Sequence, residues 1–478
     1  MSEIYGSLIE GEWINTGAQT PNINPSDVSD ILGHMVSATP QHVTDAVAAA
    51  RAAQPVWEAT PLEEKKAKLQ AIGEELMNRA DELGELLSRE EGKPFAEGRG
   101  EVFRAGQFYE YYAAECLRQI GESAASVRPG IHIDITREAV GVVGLITPWN
   151  FPIAIAAWKM GPALAYGNTI VLKPSELTPA TSRALAEVLD RHLPKGVFNM
   201  VMGAGDIGEA LSSAKGVDAI SFTGSVATGR KIAAAAIGNM ARIQCEMGSK
   251  NPITILNDAD MDIAVNSAVH GAFGATGQKC TASSRLIVEA GIHDEFVEKF
   301  TKAAEAKVVG HALEEGTELG PIVSENQMNK VLGYMQMAKD EGCTLVTGGE
   351  RLERGAEGYY LPPTIFTDSR NDMTVNREEA FGPMTCIIKV DSYEEGLAVS
   401  NDTDFGLSSA IITNSLKKAS HFKSNSRSGC VLVNLPTAGL DYHVPFGGRN
   451  SSSYGPREQG EHAKDFYTIM KTSYTNPG

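Results

Sequence analysis

The sequence predicts an α/β protein: a doubly wound parallel sheet, a second α/β unit and a small β arm. Three observations carry this expectation. Between Val140 and about Met247 short apolar runs alternate with helical stretches, the pattern of βαβ units and so of a parallel sheet. After Gly248 the alternation starts again. Ile131-His132-Ile133-Asp134-Ile135-Thr136 alternates apolar and polar residues and is rich in β-branching, which reads as a half-exposed strand outside both units.

In chain order, a small strand signal lies around Ile9–Trp13, followed by a long helical region from about Thr44 to Cys116. Leu69, Ile72, Leu76, Leu83, Leu86 and Leu87 recur at helical spacing, and Glu91-Gly92-Lys93-Pro94 breaks the region with glycine and proline as the stop signal. The strand within 118–138 has one sticky face and offers an edge to another subunit; Phe466–Tyr474 reads as its companion. In the first alternating region Val142–Ile146, Thr169–Leu172, Phe198–Val201 and Ala219–Phe222 read as strands, with helices over Thr181–Leu193 and Ala227–Ile237. In the second, helices are expected over Asp260–Phe273 and His293–Val309, and a strand near Val431–Leu435. Ligands of such sheets bind at the carboxyl ends of the strands.

Composition narrows the function classes. A chain of 478 residues exceeds one ordinary core, and 42% apolar with 21% charged residues is the balance of a soluble globular protein. A formal net charge of −18 lacks the basic footprint that nucleic acid or an anionic membrane requires. The start MSEIYGSLIEGEW has no basic region followed by an apolar one, and no apolar run reaches membrane-spanning length. Six scattered cysteines without C-x-x-C spacing fit a reducing cytoplasm and offer no metal site.

Several residues carry chemistry. Cys280 lies in Gly277-Gln278-Lys279-Cys280-Thr281, and 34 positions upstream Glu246 opens Glu246-Met247-Gly248-Ser249-Lys250-Asn251-Pro252. A thiolate attacks a carbonyl carbon, and a carboxylate activates the water that releases the acyl group. A lone cysteine, however, is more often a small buried hydrophobe. Asn150 is either a turn former or a donor to an oxyanion. Gly203-Ala204-Gly205-Asp206-Ile207-Gly208 matches a dinucleotide fingerprint, but the acidic residue expected about 20 positions on is replaced by Ala227-Thr228; a tight glycine turn fits better. Gly224 and Ser225, at a strand end and a helix start, suit a pyrophosphate, or Ser225 simply caps the helix.

These strings, together with Thr147-Pro148-Trp149-Asn150-Phe151-Pro152, Lys173-Pro174-Ser175-Glu176, Glu379-Ala380-Phe381-Gly382-Pro383 and Pro445-Phe446-Gly447-Gly448, resemble the aldehyde dehydrogenase superfamily over nearly the whole chain. The resemblance implies a Rossmann-type NAD-binding domain (1–117 and 139–247), a catalytic domain (248–450) and an oligomerisation arm (118–138 and 464–478) of a homodimer or homotetramer. It implies Cys280 as nucleophile, Glu246 as base for hydrolysis and Asn150 as oxyanion donor. Trp149, Lys173, Glu176, Gly205, Gly224, Ser225, Glu379 and Phe381 would contact the cofactor. The Glu176 carboxylate would oppose a 2′-phosphate, favouring NAD, with NADP as the alternative. The stretches 434–443, 453–460 and 273–282 resemble the branch of the family that acts on α-ketoglutaric semialdehyde. Trp158 and Ala275 stand where succinate semialdehyde enzymes carry carboxylate-gripping arginines, so Phe151 and Trp158 are expected as walls and Tyr442 and His443 at the mouth. Other aliphatic, aromatic or betaine-type aldehydes, transfer to coenzyme A, or a retired binding protein are the competing readings. Ser249, Asn450 and Pro456 depart from the family pattern.

Overall fold

The computed structural model describes residues 3–118, 121–439 and 441–478. Two large sheets dominate. The first has eight strands in the order Ser453–Tyr454, Arg242–Met247, Ala219–Gly224, Val142–Ile146, Thr169–Lys173, Phe198–Met200, Ser7–Ile9 and Glu12–Ile14. Its five central strands are parallel. They are apolar almost throughout and buried on both faces, as parallel strands under helices must be. The expectation of a purely parallel sheet needs correction at both edges. Ser453–Tyr454 joins Arg242–Met247 antiparallel, and the Ser7–Ile14 hairpin adds two antiparallel strands. The strand read around Ile9–Trp13 is split in two, because Glu10 and Gly11, both at positive φ, turn the chain there.

The helical region resolves into Pro40–Ala59, Leu62–Asn78, Ala80–Glu91 and Phe95–Glu115. Gly92 ends the third helix in the left-handed conformation, which glycine adopts without steric cost, and Pro94 precedes the fourth. Leu69, Ile72, Leu76, Leu83 and Leu87 from these helices share one core with Val143, Leu145, Ile170 and Leu172 from the sheet.

The second sheet has seven strands in the order Thr344–Thr347, Thr364–Thr367, Met384–Val390, Ser283–Glu289, Asn251–Ile255, Ser408–Ile412 and Cys430–Val433. Helix Met261–Phe273, capped by Asp260, packs against it. The helix begun at His293 stops at Glu305, four residues short of the expected Val309. A third, three-stranded sheet pairs His132–Ala139 with Glu122–Ala125 on one side and Thr468–Thr475 on the other, so the companion strand starts two residues later than expected. Of the expected arm, residues 119 and 120 lie outside the described residues.

Candidate active site

The carboxyl ends of Val142–Ile146, Ala219–Gly224 and Arg242–Met247 deliver the chain to one cavity of about 160 Å³. Trp149, Asn150, Gly224, Ser225, Glu246, Trp158, Cys280, Glu379 and Phe381 line it. The three residues expected to react and six of the other expected contacts therefore meet in one place.

Cys280 follows an unusual turn. Helix Met261–Phe273 ends and Gly274–Gly277 forms a single 3₁₀ turn in which Ala275 (φ 51°) and Thr276 (φ 53°) are left-handed. That region is uncommon for a β-branched residue. Local contacts hold it: the Ala275 amide donates to Glu97 Oε1 at 3.1 Å and Thr276 Oγ1 to the Gly320 carbonyl at 3.1 Å. Asn150 Nδ2 donates to the Gln278 carbonyl at 2.9 Å and Asn251 Nδ2 to the Cys280 carbonyl at 2.7 Å. Burial raises the Cys280 thiol, and the Glu379 and Glu246 carboxylates raise it further.

Glu246 Oε2 accepts from Ser453 Oγ at 2.5 Å, while its Oε1 is buried without a partner. Burial pushes this carboxyl well above its ordinary range, and the neighbouring Glu458 adds to the rise. Behind it lies a polar cluster that the sequence reading missed. Lys159 Nζ bonds Glu458 Oε1 and donates to Ser221 Oγ at 2.8 Å; Ser221 Oγ donates to Gln244 Oε1 at 3.0 Å. Lys159 is fully buried and is the single charge in the helix Ala154–Ala165. A lysine in so apolar a helix was the available signal, since a buried ammonium needs a partner.

On the cofactor side, Trp149 and Phe381 (φ 62°) meet edge to face with centroids 5.5 Å apart. Ser225 caps Val226–Gly238, its Oγ accepting from the Thr228 amide at 3.3 Å, and it also lines the cavity. Glu379 Oε1 accepts from the Ser249 amide at 2.9 Å, and burial raises its carboxyl to about 7. Lys173, Glu176 and Gly205 lie outside the lining of this cavity. Lys173 Nζ donates to the carbonyls of Pro174 (2.8 Å) and Gly203 (2.6 Å) and stands 3.6 Å from the Glu176 carboxylate. Gly203 (φ 153°) makes the tight turn into helix Gly205–Ser212. The residues fit a dinucleotide: Thr223 Oγ1 lies in the lining, buried and without a partner. Beside it a helix of 13 residues presents its N-terminus, which favours phosphate.

On the substrate side, Trp158 and Phe446 meet at a tilt of 36° with centroids 5.5 Å apart, and Ile155 and Leu407 complete the wall; Phe446, Ile155 and Leu407 were not anticipated. Phe151, Tyr442 and His443 lie outside the lining. The Phe151 ring lies 4.0 Å from Lys93 Nζ instead. Tyr442 packs edge-on against Phe108 and Tyr111 beneath the Arg104 guanidinium, with His443 against its ring. Leu440, in the stretch 434–443, lies outside the described residues. The three departures have local roles: Ser249 Oγ accepts from the Leu407 amide, Asn450 Nδ2 donates to the Phe405 carbonyl, and the Pro456 carbonyl accepts from Gln244 Nε2. Among the described residues no cluster of three or more His, Cys, Asp or Glu could hold a metal, and no helix is long and apolar enough to cross a membrane.

A model of the aldehyde dehydrogenase family matches residues 13–473. The chain is 41% identical to an α-ketoglutaric semialdehyde dehydrogenase of Bacillus subtilis, covering 99% of this chain and 98% of the relative. It is also 41% identical to an α-ketoglutarate semialdehyde dehydrogenase of Haloferax volcanii, covering 99% of each. A crystal structure of betaine aldehyde dehydrogenase from Staphylococcus aureus in complex with NAD+ superposes with a TM-score of 0.96 at 32% identity, over 99% of this chain and 94% of that one.

Proposed function

The chain belongs to the aldehyde dehydrogenase family, and from that premise we propose that it oxidises α-ketoglutaric semialdehyde to 2-oxoglutarate with NAD. The observation that carries the reading is the convergence of Cys280, Glu246 and Asn150 on one cavity beside the Gly224–Ser225 helix start.

In this reading Cys280 Sγ adds to the aldehyde carbon as the thiol gives up its proton to solvent, and the carbonyl π electrons move onto the oxygen. Asn150 Nδ2 and the Cys280 amide hold the oxygen that becomes negative, and one such donor is worth roughly 3–4 kcal/mol of transition-state stabilisation. Gly224, Ser225, Lys173, Glu176, Glu379 and Phe381 would hold NAD, which when bound would supply the hydride acceptor. Glu246 acts in its ionised form, against the upward push that burial and Glu458 exert on its carboxyl. It then takes a proton from the water that attacks the Cys280 thioester, and the C–S bond breaks to release the carboxylate. The Lys159–Glu458 pair at its back, closed off from the cavity, gives that proton a polar neighbour. The intact base favours water over coenzyme A as acyl acceptor.

The substrate assignment rests on the names of the two 41%-identical relatives. The likeness to betaine aldehyde dehydrogenase supports the second reading at lower identity. Measuring kcat/KM for α-ketoglutaric semialdehyde, succinate semialdehyde, acetaldehyde, betaine aldehyde and benzaldehyde with NAD at one pH tests it. A betaine aldehyde or benzaldehyde optimum overturns the substrate and leaves the dehydrogenase standing. We further propose the division into a cofactor domain (1–117 and 139–247), a catalytic domain (248–450) and an arm (118–138 and 464–478). The exposed Ile469, Met470 and Tyr474 on the arm strand support a homodimer or homotetramer, and the six free cysteines fit a cytoplasmic setting.

A further inference from the structure

The segment that interrupts the third and fourth helices reaches into the site from behind. Lys93, fully buried, donates through Nζ to Glu101 Oε2 at 2.6 Å and to the backbone carbonyl of Asn150 at 2.6 Å. The other oxygen of Glu101 accepts from the amides of Ile153 (3.0 Å) and Ala154 (3.1 Å). One ion pair thus grips the turn that carries Asn150 at both ends, while the Phe151 ring between them lies 4.0 Å from the same ammonium. Glu91 Oε2 accepts the Lys93 amide at 3.0 Å and fixes the stem. One turn before Glu101, Glu97 accepts the amide of the left-handed Ala275, which leads to Cys280. The two sides of the reacting centre therefore hang from one segment of about ten residues.

We propose that Lys93 and Glu101 are positioning residues, fixing the Asn150 peptide so that its side-chain amide is aimed at the oxygen of the aldehyde adduct. The proposal rests on the reading of Asn150 as the oxyanion donor. A turn has two ways of rotating its peptide. A cation on the carbonyl and a carboxylate on the amides three to four residues later oppose both, because either rotation would strand a buried charge. Asn150 Nδ2 is held on the Gln278 carbonyl by one hydrogen, which leaves its second hydrogen to point where the peptide orientation sends it. A displacement of about 1 Å at such a donor is enough to lose ~100-fold in rate. A merely structural ion pair would affect folding and cofactor binding without regard to Asn150.

A double-mutant cycle separates the two. Lys93→Met, Asn150→Ala and the double variant are compared by kcat, KM for NAD and the pre-steady-state burst of reduced nicotinamide. Lys93→Met is expected to lower kcat roughly 10- to 100-fold, short of the full loss of an oxyanion donor, with KM for NAD within about twofold of wild type. In the Asn150→Ala background the same change should cost less than about threefold, because the group it acts through is gone. An unchanged kcat in Lys93→Met, or an equal loss in both backgrounds, overturns the clamp. Full activity of Asn150→Ala alone overturns the donor assignment itself. If Lys93→Met is insoluble, the cycle is run with Glu101→Gln, which keeps an acceptor for Ile153 and Ala154 but loses the charge that holds Lys93; additivity there also overturns the proposal.

Discussion

Replacing Glu246 by glutamine should separate the two halves of the reaction and, at the same time, make the protein more stable. Glutamine keeps the shape and can still accept from Ser453 Oγ through its oxygen, so the pairing of Arg242–Met247 with Ser453–Tyr454 survives. What is lost is a proton acceptor. A general base contributes about 10²–10⁴, equivalent to about 3–5 kcal/mol on the barrier to hydrolysis. Steady-state kcat should fall by that factor, while one equivalent of reduced nicotinamide per site forms in a burst and an acyl adduct accumulates on Cys280. Rapid-quench mass spectrometry detects the adduct, and Cys280→Ala serves as the control without burst. The stability arm follows from linkage. The folded carboxyl titrates well above its ordinary value of 4.5, so between the two the unfolded chain binds fewer protons than the native one. Wild-type stability therefore loses an increment as pH rises above about 4.5. The glutamine variant escapes that loss, so its Tm should exceed that of wild type at pH 8 and match it near pH 4. Unimpaired steady turnover, or a Tm advantage that shrinks with rising pH, would refute the reasoning; rescue of turnover by coenzyme A would move the protein to the acylating reading.

Two further outcomes follow from the cofactor side. Glu379 titrates near 7, and its ionised form is the one that accepts from ribose hydroxyls. KM for NAD should rise as pH falls through 7, and Glu379→Gln should give a higher, pH-independent value; a flat wild-type profile would exclude the role. Glu176 is 44% exposed and 3.6 Å from Lys173 Nζ, free enough to swing from a 2′-phosphate, so the wild type should prefer NAD modestly in kcat/KM and Glu176→Ala should narrow the gap. A wild-type preference for NADP would remove Glu176 from cofactor selection.

Much of the architecture was legible because it is written in local periodicity. Val142–Ile146 is an unbroken apolar run and Ala219–Phe222 is interrupted only by Ser221, and the helix from Asp260 begins at a capping aspartate whose side chain accepts the Ile263 amide. The antiparallel edges were not legible, since Ser453–Tyr454 is two residues long and its pairing depends on a strand more than 200 positions earlier. The same distance hid Lys159 and Glu458, which are 299 positions apart and become partners only in the fold. Lys93 read as part of a helix stop, which it is; nothing in Gly92-Lys93-Pro94 says that its side chain turns inward to the Asn150 carbonyl. Phe151 and Tyr442 pack against Lys93 and against Phe108 and Tyr111, contacts between segments far apart in the chain that no local pattern announces.

The two-residue strand Ser453–Tyr454 has a consequence for how the protein is made. It closes the open edge of Arg242–Met247 and, through Ser453, completes the setting of Glu246 from 207 positions downstream. At synthesis rates of roughly 5–20 residues per second, that edge stays without its partner for roughly 10–40 s after Glu246 is added. During that interval an unpaired strand can template association with another nascent chain. The completed site and the protected edge arrive together, so enzymatic activity doubles as a report that translation has passed Tyr454 and that the strand Ser453–Tyr454 has docked.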